Sequence, residues 1–288
     1  MPDALQRLTD LILVLFVVTS MLAVGMSQPL ADVLAPLRRP LPVVLALLVN
    51  FVLSPLLALG LTWIIPLQPA HATGLLLLSV AGGAPFVPKL AELCSGNLAA
   101  SVALTILLTG VSMVFMPLAL PLMVPGLHAD AWSIARPLLV LMLIPLGIGL
   151  ALTPGDGSWL ERVLVFVRGL SNLALVPLLV LLVGLNLKVV LGTIGSFAIA
   201  TCTLYLLAIM GVAWWLGAAD RPTRNVFVLG AGCRNIAAAL VVAGTNLDDP
   251  AVTVMLIVAA VVTLAVLLVL VRAMRRHGLI DATTTEAA

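Results

Sequence analysis

Long apolar segments, each near the length of a bilayer-spanning helix, dominate this sequence. About 20 mostly apolar residues cross the hydrocarbon core of a bilayer as a helix. Nine such segments fall at residues 10–27, 41–65, 72–92, 98–124, 133–152, 164–186, 190–217, 224–245 and 250–272. Because 62% of the 288 residues are hydrophobic and 9% are charged, the chain has too few polar residues to form the surface of a water-soluble protein. We therefore predict a polytopic membrane protein.

The segments also indicate the type of membrane fold. They are continuous and lack the sustained alternation of polar and apolar residues that a transmembrane β-barrel requires. We predict an all-α protein with nine transmembrane helices. We expect residues 1–276 to form a single transmembrane domain and residues 277–288 to form a polar cytoplasmic tail.

Basic residues are distributed unequally between the two sets of connecting loops. One set carries Arg38, Arg39, Arg162, Arg221, Arg224, Arg272, Arg275 and Arg276. The other set carries Arg7, Arg136 and Lys188. Because cytoplasmic loops are enriched in Lys and Arg, this bias predicts a cytoplasmic C-terminus and an external N-terminus.

Two of the apolar segments are interrupted, and each has a cation beside the interruption. Within residues 72–97 the chain reads VAGGAPFVPKLAELCSGN, with two prolines, two adjacent glycines and Lys89. Within residues 224–246 it reads FVLGAGCRNIAAALVVAGTN, where a Gly-Ala-Gly cluster precedes Arg234. Glycine and proline also serve ordinary helix packing and kinking in membranes, which is the alternative interpretation of either segment alone.

The two interrupted segments have the same internal spacing. Gly83 lies 14 positions before Asn97, and Gly232 lies 14 positions before Asn246, an offset of 149 residues (232 − 83). They belong to the third and the eighth span, five spans apart along the chain, so the two units enter the membrane from opposite sides. Matching broken helices in an inverted repeat are typical of the substrate sites of secondary transporters. Unwound backbone is tolerated at membrane depth where it lines a cavity, and helix N-termini offer N–H groups to anions.

Other classes of function find little support in the residues. Cys94, Cys202 and Cys233 are scattered and form no CxxC pair, and the histidines form no metal-binding pattern. The chain has no Walker-type nucleotide motif, no paired membrane aspartates and no nucleophile–histidine arrangement for an intramembrane enzyme. We expect no cofactor and no nucleic-acid partner.

Over nearly its whole length the chain resembles the bile acid:sodium symporter family. The resemblance rests on AGGAPFVPKLAELCSGN with the following LAASVALT, and on GAGCRN at residues 230–235. It implies a core domain with two crossing discontinuous helices and a separate panel of helices against which the core moves. It also implies an organic anion as substrate, driven by two sodium ions. Members commonly have ten spans, so this chain would lack the first.

Carried over by position, the family's sodium ligands are only partly present. Ser101 and Thr105 match ligands, and Asn50 stands where the family has a glutamine. The Ser-Asn pair of the family is replaced here by Val87 and Pro88. Its glutamate is replaced by Gly230 and its second glutamine by Arg234. The resemblance therefore predicts incomplete sodium sites.

We predict that Lys89 and Arg234 replace the two sodium ions and that transport is independent of sodium. The predicted substrate-binding residues are Asn235, Arg234, Lys89, Asn50, Ser101 and Thr105. In the alternative for Lys89, it reaches the interface or pairs with Glu92 at i, i+3. Lys89 and Glu92 are also the candidates for proton coupling.

The function predicted from the sequence is alternating-access transport of a small organic anion, a carboxylate or a bile-acid-like molecule. A sodium-coupled anion symporter and a cation/proton antiporter are the two alternatives. The expected partners are the anion and the lipid bilayer, and the expected location is a bacterial inner membrane.

The predicted orientation can be tested by labelling single cysteines in intact cells with an impermeant maleimide. An Asp3→Cys variant should be labelled from outside, whereas a Thr284→Cys variant should be labelled only after the membrane is opened. Labelling of both positions from the same side would contradict the topology of nine spans.

Overall fold

A computed structural model describes residues 2–27, 29–94, 96–124, 130–152, 159–217, 220–247 and 249–286. Within these ranges the regular structure is helical, and no strand is present. The α-helices are α1 (Pro2–Met26), α2 (Leu30–Leu37), α3 (Pro40–Leu48), α4 (Ser54–Ile64), α5 (Pro69–Val80), α6 (Val87–Leu93), α7 (Leu98–Met123), α8 (Ala131–Leu138), α9 (Ile144–Ala151), α10 (Trp159–Gly192), α11 (Ala198–Leu216), α12 (Arg221–Gly232), α13 (Ile236–Asn246) and α14 (Pro250–Glu286). Two π-helical turns, Val49–Leu53 and Leu139–Leu143, join α3 to α4 and α8 to α9.

Seven helical segments in the described residues are long and apolar enough to cross a membrane. They are Leu5–Met26, Pro40–Ile64, Leu98–Met123, Ala131–Ala151, Ala198–Leu216, Arg221–Asn246 and Pro250–Met274. The other two predicted spans correspond to the broken pair α5–α6 and to α10. The polytopic all-α fold is thus confirmed, whereas the number of nine spans stays a prediction.

The predicted boundary of the seventh span differs from the structure. The apolar segment 190–217 was expected to be one helix, but α10 continues to Gly192 and α11 begins at Ala198. Between them the chain turns through Gly195 at φ 92° and Phe197 at φ 61°. Two left-handed residues close together cannot continue an α-helix, and apolar composition alone does not reveal them. At the other end, α14 runs on into the predicted tail.

The first break, residues 81–86, is held by hydrogen bonds from α7. Thr109 Oγ1 donates to Gly83 O at 2.6 Å, and Ser112 Oγ accepts from Gly82 N at 2.8 Å. Gly83 has φ +80°, and a Cβ built on it would lie 2.2 Å from Thr109 N. The hydroxyls of α7 thus replace the hydrogen bonds that the unwound backbone loses inside the protein.

The second break is Cys233–Asn235, and it contacts the first directly. Asn235 N donates to Ala81 O at 2.8 Å, and Asn235 Nδ2 donates to Gly83 O at 3.2 Å. The small-residue cluster that indicated this break, Gly230–Gly232, lies in the last turn of α12 rather than in the break. The cluster allows close packing there, because a Cβ on Gly232 would lie 2.6 Å from Met210 Sδ.

The two broken units have matching helices and unequal breaks. Helices α5 and α12 are each 12 residues long. Their starts are offset by 152 positions (221 − 69), whereas the starts of α6 and α13 are offset by 149 (236 − 87). The difference arises because the first break, 81–86, is three residues longer than the second, 233–235. The sequence offset of 149 is therefore the offset of the helices that follow the breaks.

The helices form two packed groups on either side of the crossing. Helix α1 packs along α10 and against α9, where a Cβ on Gly149 would lie 2.4 Å from Leu22 O. Helix α5 packs on α14, and α11 packs on α12 and α14. One group thus contains α1, α9 and α10, and the other contains α7, α14 and the helices that flank the two breaks.

Replacing Gly83 by alanine should destabilise the folded protein by about 2 kcal/mol or more, since the added Cβ meets Thr109 in a left-handed backbone conformation. Thermal unfolding of the purified variants measures this loss. Gly110→Ala is the matched control, because no atom lies within 4 Å of a Cβ there. An unchanged unfolding temperature for Gly83→Ala would contradict the packing of the break.

Candidate functional site at the crossing of the broken helices

Arg234 lies at the centre of the crossing and is 2% exposed. Its Nε donates to Leu78 O at 3.1 Å, and its Nη1 donates to Asn50 Oδ1 at 2.6 Å. Its Nη2 donates to Ser79 O. All three guanidinium nitrogens are therefore bound by oxygen atoms, in the way that a metal cation would be.

The charge of Arg234 is balanced by a helix end. Leu78 and Ser79 belong to the last turn of α5, which ends at Val80. The carbonyl end of a helix carries a partial negative charge and stabilises a cation near it. Within the described part of the chain, the ion pair found joins Lys89 and Glu92, and no carboxylate contacts Arg234.

Asn50 is positioned by the π-helical turn Val49–Leu53. The turn precedes Pro55, which has no N–H to continue the regular pattern, and such turns are frequent at functional sites. Asn50 is 2% exposed, and its Nδ2 donates to Ala46 O at 3.0 Å. This bond orients the amide so that Oδ1 faces Arg234.

A chain of hydroxyl groups extends the site to α11, which the sequence did not reveal. Ser54 Oγ donates to Ser79 O at 2.7 Å and lies 2.6 Å from the Tyr205 hydroxyl. Since the one proton of Ser54 points to Ser79, Tyr205 donates to Ser54. Tyr205 is the single tyrosine of the chain and is fully buried. A lone tyrosine is visible in the sequence, but the spacing of motifs does not single it out.

Ser101 and Thr105 are buried but do not join Arg234. Ser101 Oγ donates to Leu98 O at 2.6 Å, and Thr105 Oγ1 donates to Ser101 O at 2.8 Å, both within α7. Beside them, a Cβ on Gly230 would lie 2.5 Å from Leu104 Cδ2. The side chain of Leu104 thus occupies the space that a carboxylate at position 230 would need.

Lys89 is not brought to the crossing. Its side chain is 72% exposed and its Nζ lies 3.0 Å from Glu92 Oε2, whose side chain is 45% exposed. The pair has the i, i+3 spacing of the alternative interpretation. Replacement of two ions by two cations therefore does not match the geometry, which places one cation, Arg234, in the crossing.

An apolar cavity of about 180 Å³ lies between the two helix groups, at the breaks. Its apolar walls include Phe16 of α1, Leu175 of α10 and Leu264 of α14. Asn235 and Thr263 supply polar groups to its lining. Thr263 is 4% exposed, and its hydroxyl has no hydrogen-bond partner among the described residues.

The N-terminus of α13 opens into the same cavity. Asn235 caps it, since its Oδ1 accepts from Ala238 N at 3.1 Å and its backbone O accepts from Ala239 N at 3.1 Å. Ile236 N donates to Arg234 O at 2.9 Å. Ala237 lines the cavity at the second position of α13, so its backbone N–H is among the first-turn N–H groups that have no acceptor within the helix. Thr263 lines the same cavity.

A second cavity of about 390 Å³ lies where α3, α7 and α12 begin. Its polar lining is formed by Arg39, Asn97, Asp220 and Thr223. Hydrogen bonds from Thr223 hold the pKa of Asp220 below its usual range, so this carboxylate is ionised. At the other end of the α12–α13 span, Ser133 Oγ of α8 donates to Asn246 Oδ1 at 2.7 Å. A cavity is therefore present on the side of the first turns of α3, α7 and α12.

Comparison with known proteins agrees with this architecture. The chain is 27% identical over 220 residues, 73% of its length, to the uncharacterized protein YbaS of Bacillus subtilis, of which 71% is covered. It is 26% identical over 133 residues, 46% of its length, to a protein of Arabidopsis thaliana described as probable sodium/metabolite cotransporter BASS3, chloroplastic. That match spans 31% of the Arabidopsis protein.

The family model that matches covers α1 to the turn after α10, residues 12–193, so that Gly230 and Arg234 lie beyond it. This matched region holds the first broken helix, Asn50, Ser101 and Thr105. It covers more than half of the chain, and the chain accordingly belongs to the sodium bile acid symporter family, whose members are membrane transporters and not enzymes.

Proposed function

We propose that the protein transports a small organic anion by alternating access and does so without sodium. The observation that carries this proposal is the set of oxygen atoms around Arg234. Asn50 Oδ1 and two carbonyl groups at the end of α5 hold a guanidinium, at a position that the family resemblance assigns to a sodium ligand. In this proposal a permanent cation takes the place of the sodium ion that the resemblance implies.

Two further features disfavour a sodium ion. Sodium is a hard cation that binds oxygen ligands, preferably with a carboxylate among them. Gly230 offers no ligand side chain, and Leu104 fills the space beside it. An ion about 4 Å from Arg234 would also be repelled by about 4 kcal/mol at an effective dielectric constant of about 20.

An anion is the substrate charge that suits the crossing. The buried guanidinium supplies a positive potential, and the N–H of Ala237 and the Thr263 hydroxyl are groups that can donate to a carboxylate. Apolar side chains form most of the lining of the same cavity. The molecule that fits is a carboxylate with an apolar portion, bound at the crossing beside Asn235.

The size of the cavity favours a small carboxylate over a bile acid. At about 180 Å³ it is smaller than the roughly 300–1,000 Å³ of typical ligand pockets. The expected substrate is therefore a compact monocarboxylate.

The two alternative functions rest on different observations. The family name and the Arabidopsis relative favour sodium-coupled symport. A cation/proton antiporter relies on acidic side chains at membrane depth, whereas Glu92 is half-exposed and paired with Lys89. We assign neither Lys89 nor Glu92 a role in coupling. The membrane that we propose is a bacterial inner membrane, with the first turns of α3, α7 and α12 facing the cytoplasm.

The purified protein in proteoliposomes should take up its anion at the same rate when sodium is replaced by potassium or choline at constant pH. The physical reason is that Arg234 supplies the charge that sodium would bring. Uptake that falls more than tenfold without sodium would contradict the proposal. Protein-free liposomes serve as the control for passive leakage.

Replacing Thr263 by valine should weaken binding of the anion by about tenfold, the effect of removing one buried hydrogen bond of 1–1.5 kcal/mol. Isothermal titration or the KM for uptake measures the change. Thr201→Val is the matched control, since Thr201 is also buried with an unpartnered hydroxyl but does not line the cavity. Equal losses in the two variants would contradict a direct contact with Thr263.

A further inference from the structure

The charge at the crossing changes when an anion binds, and this change bears on the direction of transport. An arginine in a protein is permanently charged, and Arg234 is anchored by three hydrogen bonds. The empty crossing therefore carries one positive charge. With a monoanion bound, its net charge is zero. Lys89 and Glu92 add no net charge, because they form an ion pair.

A membrane potential acts on the form of the transporter that carries net charge. If the broken helices move against α1 and α10, as the proposed function requires, Arg234 moves with them through part of the electric field. The loaded form is neutral and is insensitive to the potential. The empty form is positive, and an inside-negative potential draws it toward the cytoplasmic side at up to about a 50-fold bias per 100 mV for one full charge.

We propose that the protein exports its anion, with the membrane potential as the driving force. In a cell with a negative interior, the empty site is held facing the cytoplasm, where it collects the anion. The neutral complex then moves outward regardless of the potential, and the potential returns the empty form. One negative charge leaves the cell per cycle, so that no co-transported ion is needed. This inference rests on the proposed function and adds its direction.

The charge of Arg234 also separates two kinds of flux. Exchange of one anion for another uses the loaded form alone, and it should not depend on the potential. Net transport includes the return of the empty form, and it should depend on the potential. Removal of the charge of Arg234 reverses which form responds to the potential, because the empty form becomes neutral and the loaded form becomes negative.

The test uses the full chain in sodium-free proteoliposomes, with radiolabelled 4-methyl-2-oxopentanoate, a compact monocarboxylate with a branched apolar chain, as the probe. Potassium gradients with valinomycin set potentials of zero and about 100 mV of either sign. At equilibrium the probe should accumulate about 50-fold on the positive side, whichever way the protein is inserted. Exchange at equal probe concentrations should change less than twofold with the potential.

Arg234→Gln should make this exchange dependent on the potential, whereas Arg234→Lys, which retains the charge, should leave it independent. If Arg234 had a purely structural role, its replacement would lower the transport rates without changing which flux depends on the potential. If the Gln variant does not fold, the dependence of exchange on the potential in the unaltered protein still tests the inference. Potential-dependent exchange by the unaltered protein, or accumulation without regard to the potential, would overturn the inference. Flux that appears only with sodium, or no flux of the probe at all, would overturn the proposed function itself.

Discussion

The placement of the Arg234 guanidinium against the carbonyl end of α5 is the interaction on which the site depends. A buried cation without a carboxylate is costly unless its donors are satisfied. Here Leu78 O, Ser79 O and Asn50 Oδ1 each accept a hydrogen bond from one of its three nitrogens, and all three acceptors become available through departures from regular helix. The end of α5 frees the carbonyl groups, and the π turn orients the amide.

The two breaks support each other in the same way. The unwound backbone of each has polar groups that lipid cannot satisfy. The bond from Asn235 N to Ala81 O pairs one break with the other, and Thr109 and Ser112 of α7 satisfy the glycines of the first. The crossing therefore depends on both breaks and on α7, since each of the three satisfies backbone groups that the unwound segments leave free.

Much of the fold could be predicted from the sequence, because the length of apolar segments and the clusters of Gly and Pro are local signals. Asn50 and Arg234 were predicted to lie at one site, and their side chains are hydrogen-bonded, while their part in substrate binding stays a prediction. Lys89 was predicted to join them, but its helix turns it outward to Glu92. The roles of Tyr205 and Thr263 depend on which face of a uniformly apolar helix points inward, and composition does not encode that choice.

The residues at positions 230 and 234 bear on each other electrostatically, because the resemblance implies a glutamate at position 230. A glutamate at position 230 together with Arg234 would be two opposite buried charges on adjacent turns of the same crossing, and their sum would be zero. Such a site would have no net charge with which to attract an anion. Because Gly230 is covered by Leu104 instead, the charge of Arg234 is left uncompensated by any side chain described at the crossing. A crossing without a carboxylate at position 230 thus keeps the positive charge of Arg234.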